Sequence, residues 1–138
     1  MKIKFLNNIE ARNIIDNLNL NTYEYNNEII GYSDFRFLLD IDFLFNSNKF
    51  ILAYDDINLY GVLKLVDTTY KNKKILGLSF IDVNKNFKRK GIAKKLIKAF
   101  DDINKSPVFL SSKPCEEGKK YKIDELIKSI TNKKIVFL

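Results

Sequence analysis

The sequence contains no histidine and a single cysteine among its 138 residues. Cys115 therefore has no partner for a disulfide within the chain, and cysteine and histidine together offer no ligand set for zinc. We expect no metal centre. No secretory or membrane-spanning segment is apparent, because Lys2 and Lys4 interrupt the first apolar residues and no later run approaches about 20 apolar residues. These absences predict a cytoplasmic protein without a membrane partner.

Apolar and aromatic residues are plentiful, at 46% and 13% of the chain. This composition excludes an intrinsically disordered protein and indicates a packed core. A chain of this length is typical of one domain. We therefore expect residues 1–138 to form a single domain.

Positive charge is concentrated in the second half of the chain. Residues 1–70 contain 6 Lys and Arg against 10 Asp and Glu, whereas residues 71–138 contain 18 against 7, so the formal charges are −4 and +11. Such a basic half is typical of proteins that bind a polyanion, either a cofactor such as coenzyme A or a nucleic acid. It is equally expected of a solvated, lysine-rich surface.

Hydrophobic periodicity predicts alternating strands and helices. In chain order the expected elements are a strand at Ile3–Phe5, a helix capped by Asn7 or Asn8, a loop at Asn19–Asn27, a helix from Ser33 through Phe45, strands at Phe50–Tyr54, Leu59–Val66 and Ile75–Val83, a helix at Gly91–Ile103, a strand at Val108–Ser111, a helix at Glu116–Ile130 and a strand at Ile135–Leu138. The three central strands are close together in the chain, which predicts an antiparallel meander.

The stretch from Val83 to Ile97 joins the end of a strand to the start of an amphipathic helix through a basic turn with a glycine. Backbone N–H groups at a helix N-terminus and the helix dipole both favour an anion. Gly91 and Ala93 are small enough to let a ligand approach the backbone, and Lys88–Lys90 add positive charge. The stretch is therefore a candidate phosphate site.

The run Lys88, Arg89, Lys90, Gly91, Ile92 and Ala93, preceded by Phe87 and Val83, resembles the acyl-CoA-binding motif of the GNAT superfamily of N-acyltransferases. Lys88 stands where that family usually has Arg or Gln. The predicted order of elements also resembles that of the family over most of the chain.

The resemblance implies a mixed α/β (α+β) fold in which helices flank a mainly antiparallel central sheet. It implies that acetyl-CoA or another acyl-CoA binds as co-substrate, with Ile81, Val83, residues 88–93 and Ser112 in contact with it, and that an amine attacks the thioester directly. The acceptor is expected to be a small-molecule or peptide amine. The family commonly has one more strand than is predicted here, so we expect a short sheet edge or a homodimer that completes it.

Candidates for proton transfer are few. Family members often use a tyrosine near the start of the last helix as the acid, and Tyr121 occupies that region. The glutamate that one branch of the family uses as a base corresponds to Gly77, so that mechanism does not carry over. Asp82 is the only acidic residue on the strand that ends at Val83 and is the candidate base. Ser111 and Ser112 are candidates for contact with the thioester.

Several alternatives stay open at this level. The fold is also compatible with a non-catalytic module that binds nucleic acid or senses CoA, or with an acyltransferase whose acceptor amine is attached to RNA. Glu24, Glu28 and Asp34 are either surface charges or groups that attract a cationic substrate. Cys115 has no histidine to lower its pKa, which argues against a covalent acyl-enzyme.

Overall fold

A computed structural model describes residues 1–36, 49–113 and 122–137 as alternating strands and helices. The elements are β1 (Lys2–Asn7), α1 (Asn8–Asp16), β2 (Thr22–Tyr25), β3 (Glu28–Tyr32), β4 (Lys49–Tyr54), β5 (Leu59–Tyr70), β6 (Lys73–Val83), a 3₁₀ turn (Lys85–Phe87), α2 (Ile92–Ile103), β7 (Val108–Ser111), α3 (Ile123–Ile130) and β8 (Lys134–Phe137). As predicted, Asn7 caps α1. Its Oδ1 accepts from the N–H of Glu10 at 2.8 Å, while its own N–H donates to Glu10 Oε1 at 3.1 Å.

Six strands form one sheet in the order β1-β4-β5-β6-β7-β8. Neighbours from β1 to β6 are antiparallel, whereas β7 is parallel to β6 and β8 is parallel to β7. The predicted meander is β4-β5-β6. Its second turn is made by Lys71 and Asn72, with φ of 47° and 65°. The predicted fold class, a mainly antiparallel mixed sheet flanked by helices, is confirmed.

The two faces of the sheet carry separate apolar cores, because successive side chains of a strand point to opposite faces. One core contains Phe50, Leu52 and Val62 and is covered by α1 and residues of β3. The other contains Ile51, Leu63 and Leu65 and is covered by α2 and α3. Within it Phe100 contacts Phe109 edge to face, with ring centroids 5.1 Å apart.

The predicted loop at Asn19–Asn27 is wrong in its second half, where β2 and β3 form an antiparallel hairpin. Asn26 and Asn27 make the turn with φ of 50° and 65°. Asparagine adopts positive φ more readily than most residues, so an Asn-Asn pair between two strands supports a tight hairpin turn.

The predicted helix from Ser33 does not begin where expected. Residues 33–36 form turns and irregular backbone that lead away from the hairpin, and the N–H of Ser33 donates to the carbonyl of Asn21 at 2.9 Å. The rest of that predicted helix, through Phe45, lies largely outside the described residues.

The predicted last helix, Glu116–Ile130, is not continuous. The described helix begins at Ile123, and Lys122 before it has a left-handed backbone with φ of 55°, which interrupts an α-helix. The expected direction of Tyr121 relied on a continuous helix and so loses its basis. Tyr121 itself lies outside the described residues.

Candidate active site

Strands β6 and β7 pair over a short distance and then separate. The paired positions are Gly77 with Leu110 and Leu78 with Ser111. Beyond them the N–H of Ser112 donates to the carbonyl of Leu78 at 2.9 Å. From Phe80 to Val83, β6 therefore has β5 on one side and a cleft on the other.

The cleft has a volume of about 910 Å³ and reaches both faces of the sheet. Residues 33–36 form its wall on the side of α1 and the hairpin, while Ile92, Ile123 and Leu126 form its wall on the side of α2 and α3. A molecule in the gap between the strands can thus be approached by a second molecule from the opposite face.

The backbone of β6 presents hydrogen-bonding groups to the cleft. The N–H of Asn84 donates to the carbonyl of Tyr60 on β5 at 2.9 Å. Because backbone groups of successive residues in a strand point to alternate sides, those of Val83 and Ile81 point away from β5. Both residues line the cleft, so their N–H and C=O groups are available there.

A basic turn follows β6 and ends at the N-terminus of α2. Arg89 and Gly91 have left-handed backbones, with φ of 67° and 75°, and the first bond of the helix runs from the N–H of Lys95 to the carbonyl of Gly91 at 3.1 Å. The N–H groups of the first helical turn have no partner within the helix, and the helix dipole adds partial positive charge there.

Most of the predicted phosphate-binding residues lie together at this turn. Those that line the cleft are Lys88, Arg89, Gly91, Ile92 and Ala93, joined by Lys94 and Lys113. Lys90 instead places its Nζ 5.8 Å from the ring centroid of Phe87. The arrangement can hold an anion close to the backbone of residues 91–93.

Asn84 supports the turn, and the sequence analysis missed it. It is 5% exposed; its Nδ2 donates to the carbonyl of Leu59 at 3.1 Å and its Oδ1 accepts from the N–H of Asn86 at 2.9 Å. An asparagine directly after a strand often makes such a turn, and this was the available signal.

Tyr60 and Phe87 form a second support, with ring centroids 4.8 Å apart. The hydroxyl of Tyr60 donates to Asp55 Oδ2, which raises the pKa of Tyr60. The same bond, helped by the N–H groups of Asn58 and Ile57, lowers the pKa of Asp55. The turn between β4 and β5 is thereby linked to the residues that precede α2.

Helix α2 approaches the sheet closely because β5 carries a glycine beneath its first turn. A Cβ on Gly61 would lie 2.8 Å from Ile92 Cγ2 and 3.0 Å from Leu96 Cδ1. Any larger residue would overlap these side chains and force them away from β5. Gly61 therefore helps to set the position of the helix N-terminus relative to β6.

Two carboxylates connect the wall at residues 33–36 to β6 and to the turn that follows it. Asp82 is 4% exposed, and its Oδ1 accepts from the N–H of Arg36 at 3.1 Å. Asp34 accepts from Asn21 Nδ2 at 2.9 Å and lies 3.8 Å from Lys85 Nζ. Both aspartates line the cleft.

The other candidates are distributed as follows. Ser111 and Ser112 line the cleft. Glu24 and Glu28 are exposed on the hairpin and are not among the cleft-lining residues. Cys115 and Tyr121 lie outside the described residues.

Burial lowers the pKa of Lys64, which is 5% exposed on β5 with its Nζ 5.6 Å from the Phe80 ring centroid.

Within the described ranges, no three His, Cys, Asp or Glu side chains are grouped so as to hold a metal ion. None of the helices in those ranges is long and apolar enough to span a membrane.

The fold is similar to solved structures of an aminoglycoside acetyltransferase from an uncultured soil metagenomic sample. A complex with sisomicin aligns with a TM-score of 0.56 and 18% identity, and a complex with trehalose with 0.53 and 16%; each alignment covers 99% of this chain and 93% of the other. These neighbours are GNAT-type acetyltransferases, and the likeness confirms the predicted fold. No protein-family model and no curated protein sequence matches the chain.

Proposed function

We propose that residues 1–138 act as a single N-acetyltransferase domain that transfers an acetyl group from acetyl-CoA to a primary amine. The observation that carries the proposal is the continuity of the site. A strand edge with available backbone groups, at Ile81 and Val83, leads directly to a helix N-terminus under a basic turn. An extended amide-containing chain that ends in a pyrophosphate matches both parts.

The donor would lie along β6 with its pyrophosphate at residues 91–93. The N–H groups of the first turn of α2 would bind phosphate oxygens, and Lys88 and Arg89 would neutralise their charge. Lys90 would contribute at longer range, because its side chain lies over Phe87. The amides of the donor's pantetheine arm would pair with backbone groups of Val83, in the manner of an added strand.

The acceptor would enter from the wall formed by residues 33–36. Its neutral amine would attack the thioester carbon, forming the C–N bond and breaking the C–S bond. The N–H of Ile81 would stabilise the negative charge that develops on the carbonyl oxygen. The solved neighbours act on aminoglycosides, which agrees with a small-molecule amine, and a peptide amine satisfies the same chemistry.

Two proton transfers complete the reaction. We propose that Asp82 accepts the proton that the amine loses, directly or through water, because it is the acidic residue of β6 and borders the acceptor wall. We propose that Tyr121 protonates the departing thiolate of CoA, which is the role that the family resemblance implies.

Thiol release from acetyl-CoA across a panel of amines tests this function. The panel should contain an aminoglycoside such as sisomicin, a diamine and a lysine-containing peptide. We expect turnover with at least one of them, and Tyr121→Phe should lower kcat more than it lowers affinity for acetyl-CoA. Binding of acetyl-CoA without turnover of any amine would refute catalysis, and equal turnover by Tyr121→Phe would remove the tyrosine from the acid role.

A further inference from the structure

The hydroxyl of Ser112 lies at the point where β6 and β7 separate. Its Oγ is 3.2 Å from the carbonyl of Leu78 and also donates to the carbonyl of Ser79. Its own N–H donates to Leu78 at 2.9 Å. One residue thus binds two consecutive carbonyls of the opposite strand, just beyond the last paired position.

Ser79 is a special position of β6 because it has no partner in the ladder with β5. Lys64 pairs with Phe80 and the next residue, Leu65, pairs with Leu78, so Ser79 is the extra residue of a β-bulge. A bulged residue leaves a carbonyl that the ladder does not use. The Ser112 hydroxyl supplies the missing partner.

We propose that Ser112 is a positioning residue that determines where the ligand-binding edge of β6 begins. The Ser112 hydroxyl occupies the Ser79 carbonyl. Beyond that hydrogen bond, Ile81 is the first β6 residue whose backbone groups point toward the cleft, because successive residues of a strand point to alternate sides. The consequence for catalysis rests on the proposed acetyl transfer. The placement of the edge itself does not depend on it.

Ser112 can have this effect because the backbone groups that face one side of a strand recur every second residue, so that a ligand can pair equally well two residues away. If the Ser79 carbonyl were free, an extended ligand could pair there instead of at Ile81, a shift of two residues or about 6.6 Å along the strand. The carbonyl under attack would then lie away from the N–H of Ile81 and from the wall at residues 33–36. Ser112 therefore excludes the shifted register, because its hydroxyl occupies the Ser79 carbonyl with which a shifted ligand would pair.

The adjacent serine holds this arrangement in place. Ser111 is 2% exposed, and its Oγ donates to the carbonyl of Ser112 at 3.0 Å. The backbone of Ser112 is thus held at two points, because its N–H donates to the carbonyl of Leu78 and its carbonyl accepts from Ser111 Oγ.

The kinetic test compares Ser112→Ala with Ser112→Thr, which keeps a hydroxyl. As a matched control, Ser129→Ala removes an exposed hydroxyl on α3 that bonds only to the carbonyl of Leu126 at 2.6 Å among the contacts described. We expect Ser112→Ala to lower kcat about tenfold, the equivalent of one well-placed hydrogen bond. Affinity for CoA, which depends on the turn at 88–93, should change less than about twofold, and Ser112→Thr should restore most of kcat.

Amide hydrogen exchange by NMR tests the placement of the edge without any reaction. In the free protein the amide of Ile81 should exchange much faster than those of Phe80 and Asp82, which face β5. In wild type acetyl-CoA should protect the amide of Ile81. In Ser112→Ala that protection should fall, because a ligand paired at the freed Ser79 carbonyl lies away from the N–H of Ile81. A protected Ile81 amide in the free protein overturns the inference. A wild-type kcat for Ser112→Ala also overturns it. The same holds if Ser112→Ala loses stability and CoA affinity together and Ser112→Thr restores neither. Failure of wild type to bind CoA refutes the proposed function instead.

Discussion

Replacing Gly61 with alanine tests how the fold positions the N-terminus of α2. The new Cβ would lie 2.8 Å from Ile92 Cγ2, whereas ordinary contacts begin at 3.4 Å, so the Ile92 side chain, and the helix start with it, is expected to move by about 0.6 Å. Overpacking of this kind costs about 1–3 kcal/mol. Removing a strand glycine returns about 0.5–1 kcal/mol. We expect a net loss of about 1–2 kcal/mol, or a fall in Tm of roughly 3 to 10 °C.

The same displacement should weaken binding at the turn, because residues 91–93 move with the helix. Thermal denaturation measures the first effect and calorimetric titration with CoA measures the second. Ile92→Ala removes the methyl group that the new Cβ meets, so the double variant should be more stable than the sum of the two single changes by about 1 kcal/mol. Gly61→Ala with wild-type stability and CoA affinity would refute the close approach of α2 to β5.

Three further predictions concern the turn, the core and pH. Gly91→Ala has open space around the new Cβ but a φ of 75°, so it should cost about 1–2 kcal/mol in thermal denaturation, and Gly91→Asn should cost less; equal stability of all three forms would contradict the left-handed turn. Phe100→Ala should cost about 3–5 kcal/mol in urea denaturation, because the ring is fully buried against Phe109, and a loss below about 1 kcal/mol would contradict that packing. Asp55→Asn should lower Tm at pH 7. Because folding lowers the pKa of Asp55, the stability that Asp55 contributes is present above its ordinary pKa and is lost as pH falls through the pKa of the folded state. The Tm values of wild type and Asp55→Asn should therefore converge in acid, and a Tm difference that does not change with pH would contradict this assignment.

The central part of the fold was predictable because local patterns there agree with the tertiary structure. The strands around Ile51 and Leu63 are long apolar runs between turns, and α2 has one clear apolar stripe through Leu96 and Phe100. The helix start at Ile92 followed from the glycine before it. Neither feature required knowledge of distant contacts.

The hairpin at β2 and β3 was not predicted, because its strands are short and largely exposed. Tyr23, Tyr25 and Ile29 are each about half or more exposed. The remaining signal was the Asn26-Asn27 pair, whose positive φ values close the turn. The left-handed backbone of Lys122, which interrupts the predicted last helix, has no comparable signal in residue type.

The candidate site was predictable from residue types only where it is formed by charged side chains or by a glycine. Residues 88–93 could be identified from charge and size. Ile81 could be named only through the family resemblance, because its available backbone follows from the separation of β6 and β7. The residue at which the available edge begins depends on the bulge at Ser79 and on the hydroxyl of Ser112. A bulge arises from the register of two strands, which residue types alone do not specify.

The most direct test of the central claim is the Tm of the protein with and without acetyl-CoA. At a ligand concentration about 100 times Kd, selective binding to the folded state contributes about 2.7 kcal/mol. For a chain of this size that predicts a rise of roughly 8 to 13 °C.

Ala93→Glu should abolish this rise by placing a carboxylate where the pyrophosphate would lie. A glutamate in the first turn of a helix is itself favourable, so the variant should fold. Lys105→Gln changes the net charge equally at an exposed position beyond α2 and should keep the rise. An unchanged Tm for wild type, or an equal rise for Ala93→Glu, would contradict the proposed acyl-CoA site.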